Sequence, residues 1–497
     1  MEAVLLSVAS GGWSHQKTRV RRHANQVSFA SYHLVNSDRR APHSDEVTMK
    51  VTVIGGAGYV GLVTAVGLAQ IGHSVVGVDI NTQVVDQLSA GKSSIHEEGL
   101  DGILRAVIAS GHLRFTTEIA EGVSQADVVF VAVGTPPHVD GSPDLTALRS
   151  VTANLAKTIS PGAVVAIKST IPVGAVSEMQ AAFDAFGAVN IEIVSNPEFL
   201  SEGSAIRDFF HPNRIVVGTT SERARKVMRE LYACFLVGGS QIQVGIEIAR
   251  DIPLIETTAQ SAQIIKYAAN AFLATRVSFI NEIAGICEQL GADITDVVEG
   301  LRMDPRIGSG YLSPGIGFGG PCLEKDLQAL SYSAAIHGYQ ANFLDSTLRR
   351  NDEQINYVVN RAIELCGGSV SGKRVAVFGL AFKPGTNDVR TSLSVRIIDR
   401  LLNLGASVAM HDPVAIEEAH ALLPGADAML DPYAAAYNAH IIMLLTDWPE
   451  YLSLDWPFIA SKLQSKVLFD GRNAIDPSVC AAAGINYHGV GRTLVPS

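Results

Sequence analysis

Cysteine is scarce in this chain: five residues in 497, at positions 234, 287, 322, 366 and 480. Their number is odd and none has CxxC spacing, which excludes a disulfide scaffold and a thiolate metal site, so no metal is expected and each thiol is judged singly. The same scarcity points to a reducing compartment and a cytoplasmic location. No stretch supplies the roughly 18 uninterrupted apolar residues that a membrane span requires, so no membrane partner is expected. Bases are outnumbered by acids, 38 Lys and Arg against 49 Asp and Glu, for a net charge of −11. That balance excludes nucleic acid as a bulk partner, although an anionic small molecule held by local dipoles and a few cations remains compatible with it. Charged residues amount to 18% and hydrophobic residues to 47%, the composition of a folded α/β enzyme rather than a disordered chain.

The first 48 residues stand apart. Glu2 is the only acid up to Val35, Lys17, Arg19, Arg21 and Arg22 cluster, and no hydrophobic period is sustained. The expectation is a disordered leader, or an over-long reading with the functional start at Met49; an organellar targeting segment is the alternative.

From Met49 the pattern is strand, glycine loop, helix, strand: an apolar run at 51–54, glycines across 55–61, helical spacing over 62–71, and a strand at 74–78. Further apolar runs at 128–133, 163–168, 191–194 and 215–217 read as buried strands, predicting a parallel sheet covered on both faces. Residues 259–290 read as one long helix ending at Gly291. A second strand–helix–strand unit begins near Lys373, with strands at 374–378 and 406–410 around a helix at 392–404, and later strands at 439–445 and 466–469. The fold class is therefore α/β, with two Rossmann-like parallel-sheet domains joined by a long central helix and a helical middle domain. The expected boundaries are 49–250, 251–350 and 351–497.

Gly56-Ala57-Gly58-Tyr59-Val60-Gly61 is a GxGxxG motif between a strand and a helix. Its first glycine is expected to make the tight turn, the second to let backbone approach a pyrophosphate, and the third to let helix pack on strand. Asp79, at the end of the next strand, is placed to accept from a ribose 2′-OH and to repel a 2′-phosphate, favouring NAD over NADP. Gly55 adds a residue before the motif and leaves the register of the turn open.

Residues 315–326 carry four glycines within six positions, then Pro321, Cys322, Lys325 and Asp326. A thiol in so polar a setting, near a cation, is a candidate nucleophile with a lowered pKa, whereas the other four cysteines sit in apolar or helical surroundings and read as structural. On the long helix, Lys266 and Asn270 lie one turn apart among apolar neighbours, so a buried polar face needs a purpose.

Several blocks then resemble the UDP-glucose/GDP-mannose dehydrogenase family: GAGYVGLVTA (56–65), AVGTPP with DGSPDL (132–145), KSTIPVG (168–174), SNPEFLSEG (195–203), KYAANAFLATRVSFINE (266–282), GFGGPCLEKD (317–326), GLAFKPGTNDVRTS (379–392) and FDGR (469–472). The resemblance implies two successive hydride transfers to NAD at one site, with Cys322 holding the sugar as a thiohemiacetal and then a thioester. It implies oxyanion stabilisation by Lys266, orientation by Asn270, and support of Lys266 and of water by Asp326. Glu202 and Thr170 would hold a water in proton transfer. Cofactor contacts would come from the Gly56–Gly61 loop (Tyr59 and Val60 included), Asp79, Thr135, Thr170 and Glu202. Glu198, Phe199, Leu200, Tyr311, Gly315, Phe318, Gly319, Lys383 and Arg472 would hold a nucleotide sugar, and Arg390 is a further candidate. Arg306 would reach into a neighbouring subunit's site, which with the long helix makes a homodimer the smallest expected assembly. UDP-glucose is the expected substrate and GDP-mannose the alternative; a UDP-N-acetyl sugar fits the cysteine loop less well. Pro321 and Glu324 depart from the commonest family form, Ser and Pro, and bear on substrate preference. A two-electron hydroxy-acid or phosphogluconate-type dehydrogenase could share the first domain and the long helix but would need neither Cys322 nor a second mononucleotide unit, and Cys322, Lys266, Asn270 and Asp326 together argue against a nucleotide-sensing relative.

Overall fold

The computed structural model describes residues 48–188, 190–236 and 247–492, so that positions 1–47 of the leader lie outside the described residues. The first sheet contains β1 (Lys50–Ile54), β2 (Ser74–Val78), β3 (Leu113–Thr116), β4 (Val128–Val131), β5 (Val164–Ile167), β6 (Glu192–Ser195), β7 (Ile215–Gly218) and β8 (Leu254–Thr257). Its order is β3-β2-β1-β4-β5-β6-β7-β8. The second sheet contains β9 (Arg374–Phe378), β10 (Ser407–His411), β11 (Asp427–Ala428), β12 (Ile441–Leu444), β13 (Val467–Asp470) and β14 (Asn486–Gly489), in the order β11-β10-β9-β12-β13-β14. In both sheets the strand order reverses beside the first strand, at β1/β4 and β9/β12, which opens a crevice at the carboxyl ends of the strands where ligands bind in such folds.

The central strands are apolar throughout because both faces are covered. In β4, Val128 and Phe130 pack into one core while Val129 and Val131 pack into the other. Two features differ from the sequence reading. The first sheet is not wholly parallel, since β6 and β7 meet antiparallel at Ser195 and Gly218. It also runs past residue 250, because β8 pairs with β7. At the edge, β8 leaves Ile255 and Glu256 exposed, so it lacks the apolar run that betrays a buried strand.

The long helix spans Ala259–Leu290. Thr258 caps it by accepting from Ser261 N, and Gly291 ends it in the left-handed conformation at φ 75°. The helices Leu323–Ile336 and Asn342–Leu365 pack against it, around a small core of Ala271, Ala274, Phe318 and Leu327. Among the described residues no helix is long and apolar enough to cross a membrane.

Candidate active site

The dinucleotide loop joins β1 to the helix Tyr59–Gln70. Its turn is made by Gly55, at φ 79°, and not by Gly56 as the motif alone suggests. A Cβ on Gly55 would lie 2.6 Å from the Ala132 carbonyl oxygen. Gly56 is needed for a different reason: its Cβ would stand 2.9 Å from Gly77 Cα. At Gly61 a Cβ would fall 2.0 Å from the Gly55 carbonyl oxygen, so helix and turn fit only without side chains. Gly58 precedes the helix with no side-chain cap, leaving first-turn N–H groups for a phosphate. Asp79 holds the loop, accepting from Ala57 N at 3.2 Å and Asn81 N at 3.1 Å. A cradle closed to side chains and bordered by a carboxylate at the end of β2 fits NAD. For Asp79→Ala we expect the preference for NAD over NADP to shrink by at least tenfold, read from the ratio of the two kcat/KM values; an unchanged ratio would remove Asp79 from ribose recognition.

The Tyr59 side chain is used elsewhere. Its hydroxyl bonds to Glu97 and accepts from Gly203 N at 2.7 Å, while Gly203 N also reaches Glu97 Oε2 at 2.8 Å. Glu97 is buried, and nothing in the sequence reading singled it out. Val60 lies in the first turn of the same helix. Thr135 and Thr170 follow β4 and β5 and are tied together by a 2.9 Å bond from Thr135 Oγ1 to the Thr170 carbonyl.

Between the two sheet domains lies a cleft of about 310 Å³. Lys266 and Asn270 face it from the long helix, Glu202, Phe199 and Leu200 from the segment after β6, and Cys322, Phe318 and Gly319 from the glycine loop. Of the other residues that the sequence reading placed here, Tyr311, Lys383 and Arg472 also line the cleft. Tyr311 is held at φ 57°, a left-handed conformation uncommon outside glycine and a local strain beside the cleft. Sequence reasoning missed Arg214, which stacks 3.5 Å from the Phe199 ring centroid.

The glycine loop is fixed from both sides. Phe318 N donates to Asn351 Oδ1 at 2.8 Å, and Asn351 Nδ2 returns a 2.9 Å bond to the Phe318 carbonyl. Gly315 N donates to Asn281 Oδ1 at 2.8 Å, which places Gly315 behind the loop and out of the cleft lining. Gly320, at φ 88°, passes so close to Phe382 that a Cβ would lie 2.6 Å from the ring.

Lys266 is buried with Glu198: Nζ to Oε1 is 2.9 Å and the two side chains are only 6% and 9% exposed. Burial alone would lower the Lys266 pKa, but Glu198 and then Asp326 outweigh it and hold the ammonium above its usual value. The direct partner of Lys266 is therefore Glu198, while Asp326 supports its charge without a direct bond. Asp326, almost fully buried, instead accepts from Asn270 Nδ2 at 2.6 Å and from Lys325 Nζ at 2.5 Å. Glu198 stands behind Lys266, on an adjoining chamber rather than on the cleft itself.

Cys322 lies at the N-terminus of the helix Leu323–Ile336 and is open to the cleft. The expected low thiol pKa is not found. Desolvation by the cleft walls pushes it up to about 11; Lys266 opposes this, while Glu198 and Asp326 add to it. Desolvation thus favours the protonated thiol. Its alkylation by iodoacetamide should accelerate about tenfold per pH unit from pH 7 to 9, without levelling. A plateau below pH 8 would mean that the cations win instead.

Glu202 is also perturbed. Burial first and Asp388 next push its carboxyl up to about 7, against the pull of Arg390. Its Oε2 is buried without a hydrogen-bond partner among the described residues. Arg390 binds Asp388 at 2.5 Å and approaches Glu202 at 3.5 Å. Arg306 is 88% exposed and paired with Asp304, outside its own chain's cleft. Thr170 does not line the cleft. No group of three or more His, Cys, Asp or Glu among the described residues could hold a metal ion.

A nucleotide cradle, a cysteine loop beside a buried Lys–Glu pair, and a second sheet domain bearing Lys383 and Arg472 lie in chain order. Comparison with known proteins finds the same order. Three models of the UDP-glucose/GDP-mannose dehydrogenase family match: the NAD binding domain at residues 49–236, the central domain at 260–353 and the UDP binding domain at 376–477. The UDP-glucose 6-dehydrogenase YwqF of Bacillus subtilis is 41% identical over 453 residues, 90% of this chain and 99% of that protein. The UDP-glucose 6-dehydrogenase of Rhizobium meliloti is 40% identical over 448 residues, 89% of this chain and all of that protein (100%). A solved UDP-glucose dehydrogenase from Pyrobaculum islandicum superposes with a TM-score of 0.82 at 36% identity, covering 91% of this chain and 100% of its own. With three domains matched in order and whole-length relatives at this identity, the chain belongs to the UDP-glucose/GDP-mannose dehydrogenase family and carries its NAD binding domain.

Proposed function

We propose that this protein oxidises the C6 alcohol of UDP-glucose to a carboxylate through intermediates held covalently on Cys322. The observation that carries this reading is the convergence of Cys322, Lys266 and Asn270 on one cleft, with Asp326 gripping Asn270 from behind. NAD, when bound at the Gly55–Gly61 cradle, supplies the hydride acceptor for both oxidations. The protein's own groups do the rest. Cys322 adds to the aldehyde carbon, giving a thiohemiacetal whose oxidation leaves a thioester, and water releases the acid while restoring the thiol. Because desolvation favours the protonated thiol, a base takes its proton as the C–S bond forms. Lys266, kept charged by Glu198, stabilises the oxyanion that each addition creates, and Asn270 orients it. Glu202, whose carboxyl burial pushes up to about 7 and whose Oε2 has no partner among the described residues, is suited to hold and deprotonate a water.

UDP-glucose is favoured because the third matched domain is described as UDP binding and the relatives above are UDP-glucose 6-dehydrogenases. Lys383 and Arg472 supply cations for a diphosphate. A homodimer is supported by the long helix, where Phe272, Phe279 and Ile286 expose apolar side chains seven residues apart, along one face. Arg306, free of its own cleft, is then available to a neighbour. The test is a panel of nucleotide sugars supplied with NAD to purified protein. UDP-glucose should give the highest kcat/KM, and faster oxidation of GDP-mannose would overturn the substrate assignment.

A further inference from the structure

Behind the cleft lies a second chamber of about 280 Å³ that shares Phe199, Leu200, Ser201, Arg214, Leu273 and Tyr311 with it as a common wall. Lys168, at the end of β5, lines this chamber and is only 8% exposed. Among the described residues it forms no ion pair with a carboxylate. Among the described residues its ammonium finds one hydrogen-bond acceptor, Asn196 Oδ1 at 3.1 Å, and it lies 5.3 Å from the Phe130 ring centroid. Asn196 is already engaged, since Tyr232 donates to the same oxygen at 2.8 Å and Asn196 Nδ2 donates to the Val216 carbonyl. A buried ammonium with three donors and one acceptor is tolerable only if water supplies the others. Thr64 Oγ1, on the same chamber, is likewise buried without a partner among the described residues. The chamber is thus built to hold water. Its rim includes His211 and Asn213, both exposed. Glu198 joins the two spaces, lining the chamber while its Oε1 grips Lys266 in the cleft.

We propose that this chamber is the proton exit of the active site, with Lys168 as the relay between Glu198 and bulk water. The inference rests on the dehydrogenase reading above. In each oxidation the hydride leaves carbon and the O–H bond gives up a proton; thioester hydrolysis adds the proton of the new carboxylic acid. None of these protons is carried off by the hydride acceptor, so all must leave the cleft by another route. A neutral Lys168 takes a proton from the water chain that begins at Glu198, and the resulting ammonium returns it to water at the His211 side. No other reactant is required. Desolvation lowers the Lys168 pKa to about 8, with Glu198 raising it and Lys266 lowering it, which lets the amine cycle between its two forms near neutral pH. The other charged or titratable groups around it are Tyr232, beside Asn196, and Asp208, His211 and Arg214 on the chamber wall.

Arginine cannot release its proton, so it separates a relay from a fixed positive charge. Both Lys168→Arg and Lys168→Met should lower kcat about tenfold or more, with KM for the sugar changed less than twofold. The increase of wild-type kcat with pH that levels near pH 8 should be absent from both. Small primary amines added to Lys168→Met should restore part of the rate. In the free wild-type protein, a Cε-labelled lysine resonance missing from the Lys168→Arg spectrum should titrate near pH 8, and this readout needs no turnover. Wild-type kcat in Lys168→Arg, or a Lys168 resonance that stays charged to pH 10, would overturn the relay and leave the dehydrogenase reading intact. Failure of the wild-type protein to form NADH from any nucleotide sugar would instead remove the dehydrogenase reading and the relay with it.

Discussion

Cys322→Ser should lose steady NADH formation from UDP-glucose by about a thousandfold or more, the scale on which removal of a covalent nucleophile acts. A serine hydroxyl is a far weaker nucleophile than a thiolate and its ester is less activated than a thioester. Any residual turnover should therefore stop after the first oxidation. The variant should fold normally, because Cys322 is exposed to the cleft and Cys→Ser is a near-isosteric change. Cys234, Cys287 and Cys480 offer a control: all three are buried, so serine at those positions should lower stability rather than abolish chemistry. Acid production by Cys322→Ser at the wild-type rate, measured by counting NADH against sugar consumed, would remove its role.

Lys266→Ala should fail in two separable ways. It leaves the Glu198 carboxylate buried without its partner, and breaking such a pair costs about 3–5 kcal/mol of stability. It also removes the cation nearest the developing oxyanion, for which a loss of about 10²–10³ in kcat is expected. The double variant Lys266→Met with Glu198→Gln should recover most of the stability, since no uncompensated charge remains, but none of the activity. Denaturant titration and steady-state rates on the two proteins separate these effects. If the double variant is no more stable than Lys266→Ala, the uncompensated Glu198 charge is not what destabilises the single variant.

Much of this architecture was legible in the sequence because burial on both faces forces continuous apolar strands. The runs at 51–54, 74–78 and 374–378 coincide with β1, β2 and β9 to within a residue. The long helix was legible to its ends, because a Thr cap at 258 and a glycine at 291 mark where the backbone changes conformation. Strands β3 and β8 were not, because edge strands such as Leu-Ile-Glu-Thr at 254–257 need no apolar run. The same divide runs through the site. Lys266 and Asn270 were conspicuous as polar residues among apolar neighbours on one helix face, and Cys322 by its glycine setting. The pairing of Lys266 with Glu198 joins positions 68 residues apart and exists only once β6 and the long helix have met. The thiol pKa is likewise a tertiary property: Lys325 beside it in sequence suggested a thiolate, but cleft walls drawn from three parts of the chain desolvate it. Gly55 shows the limit of motif reading on a smaller scale, since the left-handed turn falls one residue before the motif begins.

The account turns on the sugar staying attached to one sulfur between its two oxidations. The most direct measurement is NADH formed per UDP-glucose consumed by the wild-type protein in the presence of an aminooxy reagent that captures free aldehyde. Two NADH per sugar with no captured aldehyde is the predicted result. One NADH per sugar, with the aldehyde recovered as its oxime, would contradict it.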